Sequence, residues 1–157
     1  MKIMNYLSLL LIILFSTQLS AQTERFGSDR KGKWIVEQGT SAQGFISDGS
    51  SVYTIGIDAG KFLTTDLALK LKANLILGDL ESTNIGAAAK YYMGGRIPLE
   101  IGGLYNTQSE DFQITASLGY AIDLASNIYF EPSFGVVTDT GFNDLVYNPK
   151  LSFTMLF

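Results

Sequence analysis

The stretch from Leu67 to Leu77 constrains this chain more than any other. Leu67, Leu69, Leu71, Ala73, Leu75 and Leu77 fall on alternate positions, with Lys70, Lys72 and Asn74 between them. Wound as a helix, the segment would scatter its lysines among its leucines. Extended, it separates them cleanly onto two faces, because the side-chain period of a strand is two. An unbroken face of leucines must then meet an apolar medium along the whole length of the strand.

The same period recurs down the chain. Tyr53, Ile55, Ile57 and Ala59 oppose Thr54, Gly56 and Asp58, and Ile97, Leu99, Ile101 and Tyr105 oppose Glu100. Phe112 to Ile122 sets Phe, Ile, Ala, Leu, Tyr and Ile over Gln, Thr, Ser and Gly. Ile128, Phe130, Phe134 and Val136 stand opposite Glu131 and Ser133, and Leu151, Phe153, Met155 and Phe157 opposite Lys150, Ser152 and Thr154. Two further segments have less contrast: one opening at Trp34 and Val36, expected to contain a bulge or a register change before Phe45, and Ile85 to Tyr92. Together they predict about eight strands. Pro98, Pro132 and Pro149 lack an N–H and are expected at strand starts or bulges.

The breaks alternate in style. Ser47 to Ser50, Gly78 to Thr83, Asn106 to Asp111 and Thr138 to Asn143 are polar, whereas Thr64 to Asp66, Gly94-Gly95 and Ala125 to Asn127 are tight turns. Connections this short join antiparallel neighbours, since parallel strands need crossovers of about a dozen residues or more. The expected fold is all-β: a single closed antiparallel up-and-down transmembrane β-barrel of eight strands. Tilted strands of about ten residues cross a bilayer, and closure leaves no sheet edge for lipid to face.

Energetics sets the faces. A lysine facing lipid at the midplane costs about 2–4 kcal/mol, so turning Lys70, Lys72, Lys90 and Lys150 outward removes on the order of 10 kcal/mol. The lumen-facing charges are therefore expected to be Asp58, Lys70, Lys72, Lys90, Glu100, Glu131 and Lys150, with Glu37 as a further partner. Trp34, Tyr91, Tyr120 and Phe157 toward the terminal end, and Tyr53, Tyr105, Phe112 and Tyr147 toward the polar loops, suit two interfacial girdles.

The first residues point to export. Lys2, an apolar run from Leu7 to Phe15 and the exit Ser16 to Ala21 have the layout of a secretory signal, with cleavage expected after Ala21. The expected organisation is a signal peptide over 1–21, a short periplasmic lead-in over 22–31 and the barrel over 32–157. Without Lys2 the chain carries ten basic and fifteen acidic residues, a net charge of −5, which disfavours nucleic acid as a partner. There is no Cys and no His. That removes thiol nucleophiles, disulfides, the commonest general base and the commonest metal ligand. No catalytic, cofactor-binding or metal-binding residues are assigned, and an enzyme using loop carboxylates such as Asp79, Glu81, Glu110 and Asp111 is disfavoured.

The export signal, the alternating strands, the Gly32-Lys33-Trp34 opening and the closing Lys150 to Phe157 strand resemble the small outer-membrane β-barrel proteins of Gram-negative bacteria, the porin-like group with OmpX-like and OmpA-barrel-like members. The resemblance covers about Gly32 to Phe157. It implies location in the outer membrane and contact with outer-membrane lipid. It also implies that Leu151, Phe153, Met155 and Phe157 form a C-terminal signal read by the barrel assembly machinery during biogenesis; Ser152 stands where that family often has Gly. The short loops, the expected charge-balanced interior and the lack of a catalytic constellation make the expected role structural or a small pore, without catalysis, and no peptidoglycan-binding domain is expected after the barrel. The alternative is a soluble periplasmic lipocalin-like barrel binding a small apolar ligand, for which Gly32-Lys33-Trp34 also reads as a G-x-W opening. Such a barrel turns its apolar face inward.

Overall fold

The computed structural model describes residues 29–44, 51–78, 82–141 and 145–157. The export segment over 1–21, the Ser47 to Ser50 break and parts of the Gly78 to Thr83 and Thr138 to Asn143 breaks, with Asp79 and Glu81, lie outside the described residues. The strands are β1 (Trp34–Gly44), β2 (Ser51–Phe62), β3 (Leu67–Gly78), β4 (Ser82–Met93), β5 (Ile97–Asn106), β6 (Phe112–Gly119), β7 (Ile122–Ala125), β8 (Ile128–Asp139) and β9 (Leu145–Leu156). Each pairs antiparallel with its neighbour in the chain up to β6, while β8 pairs with both β6 and β7 and β9 returns to β1. The sheet is therefore closed. Main-chain bonds of 3.0 Å run both ways between Trp34 and Phe157, sealing the first strand to the last.

β6 and β7 are two parts of one strand, so the barrel has eight. Gly119 lies opposite Ser133 and Ile122 opposite Phe130, an unbroken register across the gap. At the gap Tyr120 N–H donates to the Pro132 carbonyl at 3.0 Å, and Pro132 has no N–H to return the bond. The Phe112 to Ile122 segment is thus interrupted within its alternation, and it continues to Ala125.

The other two prolines obey the same rule. Odd-numbered donors of β9 face β1, as Phe157 shows, and the β1–β9 ladder stops at Ser41 opposite Lys150, beside Pro149. On β5, Pro98 faces Tyr92, whose own N–H points away to Asp66; the donor missing from Pro98 is on the β6 side, where that ladder ends at Leu99 opposite Leu118. Pro98 is the second residue of its strand, but Pro132 and Pro149 are neither strand starts nor bulges. A proline is tolerated in mid-strand here because the ladder on its donorless side has already ended or breaks there.

Neither the bulge nor the register change expected before Phe45 occurs: β1 and β2 pair residue for residue from Trp34 opposite Lys61 to Gly44 opposite Ser51. Gly39 explains the weak pattern, since it contributes no side chain to the inner face at the point where the Lys150 side chain passes.

Burial separates the two faces as sharply as the sequence pattern. Leu71 is 72% exposed and its neighbour Lys70 only 2%. Leu69, Leu75, Ile57, Ile85, Ile101, Phe134, Leu151 and Phe153 are likewise exposed, forming an apolar belt around the outside. Trp34, Tyr91, Tyr120 and Phe157 border it near the chain termini, and Tyr53, Tyr105, Phe112 and Tyr147 near the polar loops. The chain is a transmembrane-type barrel with its greasy surface outward. This is the reverse of a lipocalin interior, and Trp34 of the G-x-W triplet is itself 56% exposed.

Candidate functional site: the barrel interior

The inner positions of seven strands converge on a network of four carboxylates and four ammonium groups. Lys70 on β3 lies 2.8 Å from Glu37 on β1, 2.9 Å from Asp58 on β2 and 2.6 Å from Glu100 on β5. Lys90 on β4 lies 2.6 Å from Glu37 and also pairs with Glu131 on β8. Lys150 on β9 reaches Glu37 at 2.5 Å and Asp58 at 3.8 Å. Lys72 pairs with Glu100 and lies 3.8 Å from Asp58. Glu37 is the hub, contacting three lysines, although its own strand offers the weakest sequence pattern.

Register brings these groups together and also creates a problem that the network solves. Glu37 and Asp58 are directly opposite each other on adjacent strands, a like-charge pair that is unfavourable by itself. Lys70 and Lys150 each bridge both carboxylates. Charges this deeply buried are tolerated only when paired and hydrogen-bonded. Among the described residues, the network meets that demand with four groups of each sign.

Glu37, Asp58 and Glu100 bring oxygens within 4.8 Å of one another, an arrangement able in principle to hold a metal ion. The Lys70 ammonium contacts all three. The cation in this cluster is therefore the protein's own.

Below the network, toward the chain termini, the interior becomes apolar. Ile35, Phe62, Ala68, Tyr92, Ala121, Tyr129 and Leu156 form one buried cluster. Tyr92 joins the two layers: its hydroxyl donates to Glu131 at 2.7 Å, and the Lys90 ammonium lies 5.3 Å from its ring centroid. Above the network, toward the loops, a cavity of about 60 Å³ is lined by Ser41, Thr54, Asn74, Thr115, Ser117 and Asn148 among others. That holds a few water molecules. No constellation of nucleophile and base occurs among the described residues. Glu110 and Asp111 are exposed on the turn between β5 and β6.

One interior residue has no signal in the sequence pattern. Arg30 precedes the first strand, within the segment read as a lead-in, yet it is 2% exposed. Its side chain enters the terminal mouth of the barrel and donates to the Gly95 carbonyl at 2.6 Å. A lone arginine in a polar stretch has no periodicity that would reveal this.

Of the C-terminal residues, Leu151, Phe153 and Phe157 are exposed on the outer face and Met155 is half-buried there, with Ser152 and Thr154 buried between them.

No protein-family model and no curated protein sequence matches the chain. Solved structures do match in shape. The N-terminal β-barrel domain of Pseudomonas aeruginosa OprF aligns with a TM-score of 0.63 at 12% identity, over 81% of this chain and 98% of that one. A structure from the de novo design of transmembrane β-barrels aligns at 0.57 and 16%, over 82% and 98%, and Neisserial surface protein A at 0.53 and 15%, over 80% and 96%. At these identities the likeness is one of fold: the chain has the closed, eight-stranded, antiparallel architecture found in known outer-membrane barrel proteins.

Proposed function

We propose that the chain is exported and resides in the bacterial outer membrane as a structural barrel of the cell envelope, with a lumen filled by its own side chains and no catalytic role. The observation that carries this reading is the pairing of an apolar outer belt with a charge-balanced ion-pair network inside. Lipid rewards the first, and charges packed inside a narrow closed cylinder require the second. An eight-stranded barrel is narrow enough for side chains to fill. Here the ion-pair layer and the aromatic layer stack one above the other along the axis.

Within this reading, residues 1–21 are removed on export and 22–31 lead into the barrel on the periplasmic side. The partners are outer-membrane lipid and, during biogenesis, the assembly machinery, which reads Leu151, Phe153, Met155 and Phe157. The lumen-facing charges serve folding rather than selectivity. A small-pore role is the second reading, favoured by the polar cavity on the loop side of the ion pairs.

Planar-bilayer recording on refolded protein distinguishes the two. The structural reading expects a flat baseline, and reproducible unitary steps would establish the pore. Cell fractionation with gel migration before and after boiling tests the location. Recovery in the soluble periplasmic fraction with unchanged mobility would refute a membrane barrel.

A further inference from the structure

The terminal mouth of the barrel is lined by three aromatic rings arranged around a guanidinium. The Arg30 Cζ lies 4.3 Å from the ring centroid of Tyr92, 5.7 Å from that of Phe62 and 5.9 Å from that of Tyr129. All three distances fall within the range in which a cation is attracted by a ring quadrupole, and the attraction grows when the group is desolvated. Two of the rings are fixed independently of Arg30: Phe62 and Tyr92 pack at 5.8 Å between centroids, and the Tyr92 hydroxyl is held by Glu131, while the Tyr129 hydroxyl is hydrogen-bonded with the Arg30 side chain. The Gly95 carbonyl supplies an acceptor from the turn between β4 and β5. Gly94 and Gly95 have φ of +57° and +78°, values that favour glycine. The turn is further held by Ala121 N–H, which donates to the Arg96 carbonyl at 2.7 Å.

We propose that this mouth is a cation-binding aromatic cage, specific for planar guanidinium groups, which the resting chain fills with its own Arg30. Three aromatic walls and a carbonyl acceptor in a site sealed from water form a receptor for a weakly hydrated planar cation. Arg30 is thus an intramolecular ligand that plugs the terminal end of the lumen and pins the chain entering β1 to the β4–β5 turn. The ion-pair layer beyond Tyr92 is a second barrier, so the cage exists whether or not the lumen conducts.

The chain has no cysteine, so a single introduced thiol reports on the cage without background. Ala121 is 2% exposed within the same buried cluster as the three rings. Ala121→Cys, refolded in vesicles and treated with iodoacetamide, is expected to react slowly while Arg30 is present. Adding Arg30→Ala is expected to raise the alkylation rate by about tenfold or more, the ratio equivalent to losing one desolvated cation–π contact. Millimolar guanidinium chloride is then expected to slow the reaction again, where sodium chloride at equal ionic strength does not. Equal alkylation rates with and without Arg30 would overturn the plug, and guanidinium acting no better than sodium would overturn the cage. Heat-modifiable migration checks each variant for folding. If Arg30→Ala does not refold, Arg30→Gln removes the charge while retaining a polar side chain, and the same two comparisons decide.

Discussion

Lys70→Met removes one charge from the centre of the interior while keeping an unbranched side chain of similar length. Three carboxylates now converge on the Lys70 ammonium, and the change leaves Glu37, Asp58 and Glu100 around an apolar group. The network goes from four acids and four lysines to four acids and three. Removing one partner of a buried ion pair costs about 3–5 kcal/mol, because the remaining charge stays buried without compensation. Adding Asp58→Asn restores the balance of charge. It is the acid to choose, because its remaining contacts with Lys72 and Lys150 are at 3.8 Å, whereas those lysines keep closer bonds to Glu100 and Glu37. The double variant is expected to recover more than half of the loss. Urea titration in lipid vesicles reads both, with fluorescence from Trp34, the single tryptophan, which faces outward and changes environment when the barrel forms. A Lys70→Met barrel within about 0.5 kcal/mol of the unsubstituted one, the spread of ordinary surface changes, would refute a desolvated ion-pair core. A double variant no better than the single one would refute charge balance as its organising rule.

Three further outcomes follow from individual contacts. Leu71→Lys, at the most exposed apolar position of β3, is expected to lower stability in vesicles by about 2–4 kcal/mol; a neutral result in the same titration would mean that this face does not meet lipid. Gly86→Ala is expected to cost about 1–3 kcal/mol, because a Cβ there would sit 1.9 Å from the Gly103 carbonyl oxygen and β5 must move away; an unchanged urea midpoint would show that the strands accommodate it freely. Tyr92→Phe leaves a Glu131 oxygen without its donor, at an expected cost of about 1–3 kcal/mol; an unchanged midpoint would show that water replaces the hydroxyl.

Alternation at period two was sufficient to recognise the strands and which side chains share a face, and the short connections were sufficient for their antiparallel order. It works because each residue's side is determined by its own strand alone: Lys70 and Leu71 point opposite ways whatever their neighbours do. The prolines show where such local reasoning stops. Pro132 and Pro149 read as strand starts or bulges, yet both lie inside strands, because the cost of a missing donor depends on whether a partner strand still needs it.

Partner identity is a property of closure. Lys90 and Glu100 are directly opposite on adjacent strands, but the short contacts of Lys90 go to Glu37 and Glu131, from β1 and β8. Only the curvature of a closed sheet brings those strands to face one another across the lumen. The burial of Arg30 depends on the same step, since its cage takes Phe62 from β2, Tyr92 from β4 and Tyr129 from β8. What the sequence by itself determined is the separation of greasy from polar faces, a local consequence of the strand's twofold period. Which charges neutralise each other, and what fills the mouth, was decided by the tertiary structure, because those contacts join strands far apart in the chain and exist only once the first strand meets the last.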